Sequence, residues 1–352
     1  MIDQQYKIVP YTPDLLLEVV DLLKYLLGNN FDSNLAYFKW KHHDNPYLKD
    51  PLGIVALYNK EIVGFRGYFA TKWCFDNKEQ LILCPGDTCV HPDHQRKGLS
   101  LAMGYEAMRE YTSGYRIFLN LSSNIKSSPG YLKMGFVPLA PKRYFQIFKK
   151  RSLINGIRFI MGSKKKSDLT HEAIPLGKFD DIIISRTPES NEMNEVIVNQ
   201  DCVKIRLLQD QDFFRWRFKN VRKEYIFYYY KPLDSITGYL VVEVSGDRIR
   251  NGNILDYGES DGKAIEKILK YIISSEHFQA LTIQNFWAND SLIRIFQRLG
   301  FNQHSAQHVS SEPPFLIRPV KEKFNEEDWV IEGMDIRDAN NWEIKPICSD
   351  AA

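Results

Sequence analysis

Residues 95–100, Gln95-Arg96-Lys97-Gly98-Leu99-Ser100, combine types and placement that could do chemistry. They follow a strand-like run, Gln80 to Val90, and open an apolar-periodic helix that extends to about Tyr111. A loop entering a helix N-terminus aims unpaired backbone N–H groups at one point, where the helix dipole is positive. Such a point binds anions, and a pyrophosphate is a natural guest. Gly98 removes the side chain where backbone and phosphate must approach closely. Taken alone, the pattern argues for a phosphate-bearing ligand without saying which. His91 and His94 have a spacing seen in metal pairs, but no metal site is expected from them.

The elements that must position this loop can be read on either side of it. Thr12-Pro13-Asp14 opens a core helix that ends at Gly28-Asn29, with Thr12 as its expected N-cap. Gly53 to Tyr58 and Ile62 to Tyr68 read as a hairpin turning at Asn59-Lys60-Glu61. After the loop and its helix come a strand (Tyr115 to Leu121), a short helix (Ser128 to Met134) ending at Gly135-Phe136, and a strand from Arg143 to Phe148. The second half replays this order. Trp216 in Phe214-Arg215-Trp216-Arg217 lies 176 positions after Trp40 in Phe38-Lys39-Trp40-Lys41. Asn289, Phe296, Gly300 and Phe301 each lie 165 positions after Asn124, Tyr131, Gly135 and Phe136. A duplication accounts for these matches better than chance.

Composition narrows the class. The chain has 352 residues, a formal net charge of +2, and no basic cluster beyond Lys164-Lys165-Lys166, which reads as a solvated linker. No nucleic-acid partner is expected from so balanced a charge. Five scattered cysteines without a C-x-x-C spacing read as reduced and not zinc-binding, hence a cytoplasmic setting. Neither a signal peptide nor an integral membrane segment is expected.

The loop, preceded by Val90-His91-Pro92, resembles motif A of the GNAT acyltransferases, Gln/Arg-x-x-Gly-x-Gly/Ala, with Ser100 at the last position. Asn124, Tyr131 and Gly135-Phe136 resemble the same family's Asn-x6-Tyr-x3-Gly-Phe signature. The resemblance covers roughly Ile8 to Lys149. It implies a splayed mixed sheet and an acyl-CoA co-substrate, acetyl-CoA or 3-hydroxybutyryl-CoA. The pantetheine arm would pair with the backbone at Cys89 and Val90. The amides of Arg96, Lys97, Gly98, Leu99 and Ser100 would hold the pyrophosphate, with Gln95 and Asn124 completing the coenzyme site. Tyr131 would protonate the leaving thiolate; its alternative is packing under the Gly135-Phe136 turn. Asp87, on the strand leading to the loop, is the first candidate for the base.

The fold class expected is thus α/β, an α+β mixed sheet in two tandem GNAT-like lobes, the second degenerate. The second lobe has Phe296 at the tyrosine position and no loop match between Asp256 and Ile268. The divisions expected are residues 1–150 for the catalytic lobe, 151–185 for a linker, 186–310 for the degenerate lobe shaping the acceptor pocket, and 311–352 for a tail. Trp329-Val330-Ile331-Glu332-Gly333 suggests a late strand that completes a sheet. Trp40, Trp216 and Tyr228 are the aromatic candidates for contacting the acceptor. The resemblance extends to N-acyltransferases acting on dTDP-linked 3-amino-3,6-dideoxyglucose for surface polysaccharides. The alternatives are another small amine or peptide acceptor, or a non-catalytic acyl-CoA-binding module.

Overall fold

The computed structural model describes residues 5–140, 143–148, 174–198, 204–246, 250–286, 290–303 and 314–349. The first half supplies strands β1 (Tyr6–Pro10), β2 (Leu52–Tyr58), β3 (Glu61–Phe75), β4 (Lys78–Val90), β5 (Ile117–Asn120), β6 (Val137–Ala140) and β7 (Arg143–Phe148). The second supplies β8 (Gly177–Phe179), β9 (Ile182–Ser185), β10 (Ile205–Leu207), β11 (Glu224–Tyr230), β12 (Gly238–Ser245), β13 (Asn251–Glu259), β14 (Ala280–Phe286), β15 (Asn302–Gln303) and β16 (Phe315–Pro319). Helices α1 (Leu16–Leu22), α2 (Lys24–Leu27), α3 (Phe31–Phe38), α4 (Leu99–Tyr111) and α5 (Ser128–Lys133) belong to the first half. Helices α6 (Ser190–Val198), α7 (Gln211–Arg217), α8 (Ala264–Ser274) and α9 (Asp290–Arg298) belong to the second.

The β2–β3 hairpin turns on Asn59 and Lys60 alone, since Tyr58 already pairs with Glu61. Both turn residues have positive φ, 50° and 74°, the geometry that matches the twist of a two-residue hairpin. Thr12 makes no side-chain cap, and the helix expected after it begins as a 3-10 turn at Pro13–Leu15. β3 runs past Tyr68 to Phe75, paired with β4 along this stretch and with β10 of the second half at Trp73 and Cys74.

Two mixed sheets result, ordered β1-β2-β3-β4-β5-β16-β6 and β15-β7-β14-β13-β12-β11-β9-β8. The halves exchange strands: the second lends β10 and β16 to the first sheet, and the first lends β7 to the second. β16 lies between β5 and β6, and β7 lies between β14 and β15. The strand Arg143–Phe148, grouped by sequence with residues 1–150, therefore pairs in the second sheet. The expected late strand near Trp329 is a two-residue hairpin of its own, Val330–Ile331 with Met334–Asp335. It is β16 that completes the first sheet. Period-2 patterning marks a strand without saying which sheet will take it.

Residues 151–173 of the expected linker, with Lys164, Lys165 and Lys166, lie outside the described residues, as does Asn289. The rest of that linker contributes β8 and β9 to the edge of the second sheet. A buried core joins the halves, bringing Phe69, Trp73 and Leu119 together with Phe214, Trp216, Phe227 and Trp342.

Candidate active site

Gly98 is the pivot of the candidate loop. It adopts φ 81° at the N-cap of α4, a left-handed conformation that costs other residues about 1–2 kcal/mol. Arg96, two residues earlier, also has positive φ, 61°. The first helical hydrogen bond runs from Ala102 N to Gly98 O at 3.1 Å, so the amides of Leu99, Ser100 and Leu101 have no helical partner. No side chain caps this helix start, and a Cβ on Gly98 would meet nothing within 4 Å. Residues 95–98 and Ser100 are exposed, while Leu99 anchors the turn in the core. The arrangement can hold an anion in open space.

Beside it the sheet splits. β4 and β5 share one paired position, Leu83 with Phe118, and β4 then continues to Val90 without a partner on that side among the described residues. Pro85 has no N–H to offer a neighbouring strand at the point of divergence. Gln95 Nε2 donates to the Val90 carbonyl at 3.1 Å, tying the loop to the strand end. Thr88 Oγ1 on β4 and Ser128 Oγ at the start of α5 are buried with no hydrogen-bond partner among the described residues. Buried hydroxyls are seldom left so, and both flank the opening between β4 and α5.

Tyr131 lies on α5 and is 6% exposed. Its ring meets Phe136 edge-on at 5.0 Å, the packing expected of the Gly135-Phe136 turn. Gly135, at φ 84°, ends the helix, and Arg318 of β16 binds the Met134 carbonyl there. A second contact was not foreseen: the Arg66 guanidinium sits 4.7 Å from the Tyr131 ring centroid. The signal available was a single charge in the apolar run Val63-Gly64-Phe65-Arg66-Gly67-Tyr68.

No protein-family model and no curated protein matches the sequence. Solved structures do match in fold. A protein from Enterococcus faecalis V583 described as a probable N-acyltransferase aligns at TM-score 0.62 and 12% identity, over 90% of this chain and 72% of its own. A GCN5-related N-acetyltransferase from Anabaena variabilis gives TM-score 0.62 and 10% identity, over 90% and 73%. Saccharomyces cerevisiae N-myristoyltransferase with bound myristoyl-CoA gives 0.54 and 12%, over 90% and 83%. The chain has the GNAT fold.

In this GNAT fold the β4 bulge falls at Asp87, which takes φ 47° while the register with β3 shifts between Phe65 and Gly67. Asp87, Cys89 and His91 all face the helical layer over β3 and β4, meeting Lys41 and His42, Leu22, and Tyr25 in turn. Burial by itself would raise the Asp87 pKa. Lys41 Nζ at 2.9 Å and His42 Nε2 at 3.0 Å reverse this and hold it well below the usual carboxylate range. Tyr37 donates to its other oxygen at 3.2 Å. A carboxylate held in this way is a weak proton acceptor, which argues against the base role expected of it. Lys41 and His42 come from a π-helical turn, Lys39–His43, that extends α3 and buries Trp40, Lys41 and His42 in succession.

The remaining candidates are placed as follows. The Cys89 thiol is buried, pushed up to about 11, and donates to the Leu22 carbonyl at 3.4 Å. The Asn124 side chain accepts from the amides of Lys126 and Ser127, closing the turn that leads into α5. His91 and His94 bond separately to Tyr25 and Tyr6, and no metal-binding cluster occurs among the described residues. Cys84, Cys89 and Cys348 are buried free thiols, whereas Cys74 is disulfide-bonded, a departure from the fully reduced chain expected. Among the described residues, no helix is long and apolar enough to cross a membrane.

Trp40, Trp216 and Tyr228, expected to contact the acceptor, are buried to 4%, 5% and 0% exposure. The two tryptophans stack at 5.7 Å and exchange hydrogen bonds, each indole N–H donating to the other's carbonyl at 2.8 and 2.7 Å. They join the lobes about a local two-fold relation. Tyr228 lies in the second lobe's core with its hydroxyl 3.1 Å from His277 Nδ1.

The second lobe repeats the helix start with a different filling. Gly262 has φ 67° before α8, as Gly98 has before α4. Asp261 Oδ1 accepts from the amides of Lys263 and Ala264, both at 2.9 Å, and Glu259 Oε2 accepts from that of Ile265 at 3.0 Å.

Proposed function

We propose that this chain is an acyl-CoA-dependent N-acyltransferase that moves an acyl group directly from a CoA thioester to a primary amine. The observation that carries this reading is one juxtaposition: an uncapped, glycine-started helix beside a strand edge opened by the divergence of β4 from β5. A diphosphate fits the first and an extended pantetheine arm the second, adding as a strand would. The unpartnered hydroxyls of Thr88 and Ser128 suit the same ligand. A structural neighbour with myristoyl-CoA bound supports a CoA thioester in this fold.

In the reaction, the amine nitrogen attacks the thioester carbonyl, the C–N bond forms and the C–S bond breaks. Tyr131 gives its proton to the departing sulfur. With Asp87 held by Lys41 and His42, the proton shed by the nitrogen passes to solvent. The acceptor suggested by resemblance is the amino group of a dTDP-linked 3-amino-3,6-dideoxy sugar. Burial of Trp40, Trp216 and Tyr228 removes the aromatic argument for a sugar, so this finer assignment rests on the motif resemblance.

The test is a thiol-release screen of acetyl-, 3-hydroxybutyryl- and longer acyl-CoAs against nucleotide-linked amino sugars, simple amines and peptides. Release dependent on one class of amine is expected. Coenzyme binding with no release against any amine would leave only a binding module.

A further inference from the structure

We propose that Arg66 is the positioning residue for Tyr131, locking its ring to the first turn of α4 and stabilising the phenolate left when the proton is given. This rests on the acyltransferase reading above. Arg66 is 2% exposed, and among the described residues no carboxylate pairs with it. Its hydrogen bonds go instead to neutral groups: Nε to the Tyr68 hydroxyl at 2.8 Å and Nη1 to the Ser100 carbonyl at 3.3 Å. A buried cation without a counter-ion is expensive, and such groups concentrate where a reaction develops the opposite charge.

The surroundings are shaped around it. Gly104 of α4 has no side chain where a Cβ would fall 2.3 Å from Met134 Sδ and 3.7 Å from Arg66 Cζ. That lets α4 close over Arg66 and α5 together, despite the helix penalty of glycine. Burial works against the guanidinium charge, but Tyr131 and Tyr68 beside it outweigh burial and raise its pKa.

The proton balance follows. Tyr131 Oη–H passes to the thiolate, leaving a phenolate beside Arg66. The proton lost by the acylated nitrogen returns through solvent to the phenolate and resets the site. The titratable and charged groups packed around Arg66 and this phenol are Tyr68 of β3, Tyr111 of α4 packed on Tyr68 at 5.4 Å, and Arg318 of β16 at the end of α5.

A double-mutant cycle on the full chain tests the coupling. Arg66→Met is expected to lower kcat on the order of a hundredfold, with KM for the coenzyme little changed. Arg66→Lys, which keeps the charge, should recover part of that loss. In a Tyr131→Phe background, Arg66→Met should change kcat by less than about threefold. An unaltered kcat in the single variant, or an equal loss in both backgrounds, overturns the proposal. A readout independent of turnover is the NMR titration of 13C-labelled tyrosine, with Tyr131 assigned by its loss in Tyr131→Phe. Its midpoint should move to higher pH in Arg66→Met, and an unmoved midpoint also overturns the proposal. Failure of the acyltransferase reading would show separately, as absent thiol release by the unmodified chain.

Discussion

The starts of α4 and α8 pose the same physical problem and meet it in opposite ways. Both follow a strand, both turn on a glycine with positive φ, and both leave amides that the helix cannot satisfy. At α8 the chain supplies its own anion, through Asp261 and Glu259. At α4 no side chain caps the amides, and a Cβ on Gly98 would meet open space. An internal carboxylate cap is worth about 0.5–2 kcal/mol, so the first lobe forgoes that stability. On the proposed reading, an anion binds only where the helix start stays unsatisfied.

The largest expected effect contrasts the buried acids of the two lobes. Asp87 has a folded pKa below the unfolded value of about 3.9, so its contribution is present above pH 4 and lost as pH falls further. Asp87→Asn should cost about 3–5 kcal/mol at pH 7 by leaving buried Lys41 without its counter-charge, and less near pH 3. Asp256 on β13 shows the reverse. Burial raises its pKa despite Lys345 at 3.4 Å, so its charged form opposes folding as pH rises above the unfolded value. Asp256→Asn should cost less than about 1 kcal/mol at pH 7. Denaturant titrations at both pH values would check the pair, and equal costs at neutral pH would erase the contrast.

Next in size is Gly98→Val, which strains a left-handed position and puts a side chain into the open space. Acyl-CoA affinity should fall about hundredfold by calorimetry, while the backbone strain lowers the melting temperature by only a few degrees. Unchanged affinity would place the coenzyme elsewhere and break the comparison at its root.

Trp40→Phe and Trp216→Phe sharpen the symmetry between the lobes. Each removes one indole donor and strands a buried carbonyl, so each should cost about 1–3 kcal/mol, by similar amounts. Unequal losses would show that the two-fold relation is geometric without being energetic. A small effect is also expected of Asp261→Ala, which removes one cap of α8 and should destabilise by about 1 kcal/mol. Acyl-CoA stoichiometry should stay at one per chain. A value of two would mean that the carboxylates alone separate the lobes.

What the sequence determined by itself is local. The runs forming β2, β4, α4 and β7, the turn at Gly135 and the loop at Gly98 all follow from local preferences, which period and residue type express directly. The tertiary structure alone decided who partners whom. Asp87 reads as a free base until Lys41 and His42 arrive from a turn 45 residues away. Trp40 and Trp216 read as pocket walls until the lobes close on them. The exchange of β7 and β16, and the burial of Arg66 against Tyr131, likewise depend on contacts between distant segments. A strand's pattern fixes its faces, but its neighbours and the charges buried beside it are chosen by competition among all the surfaces the chain can bring together.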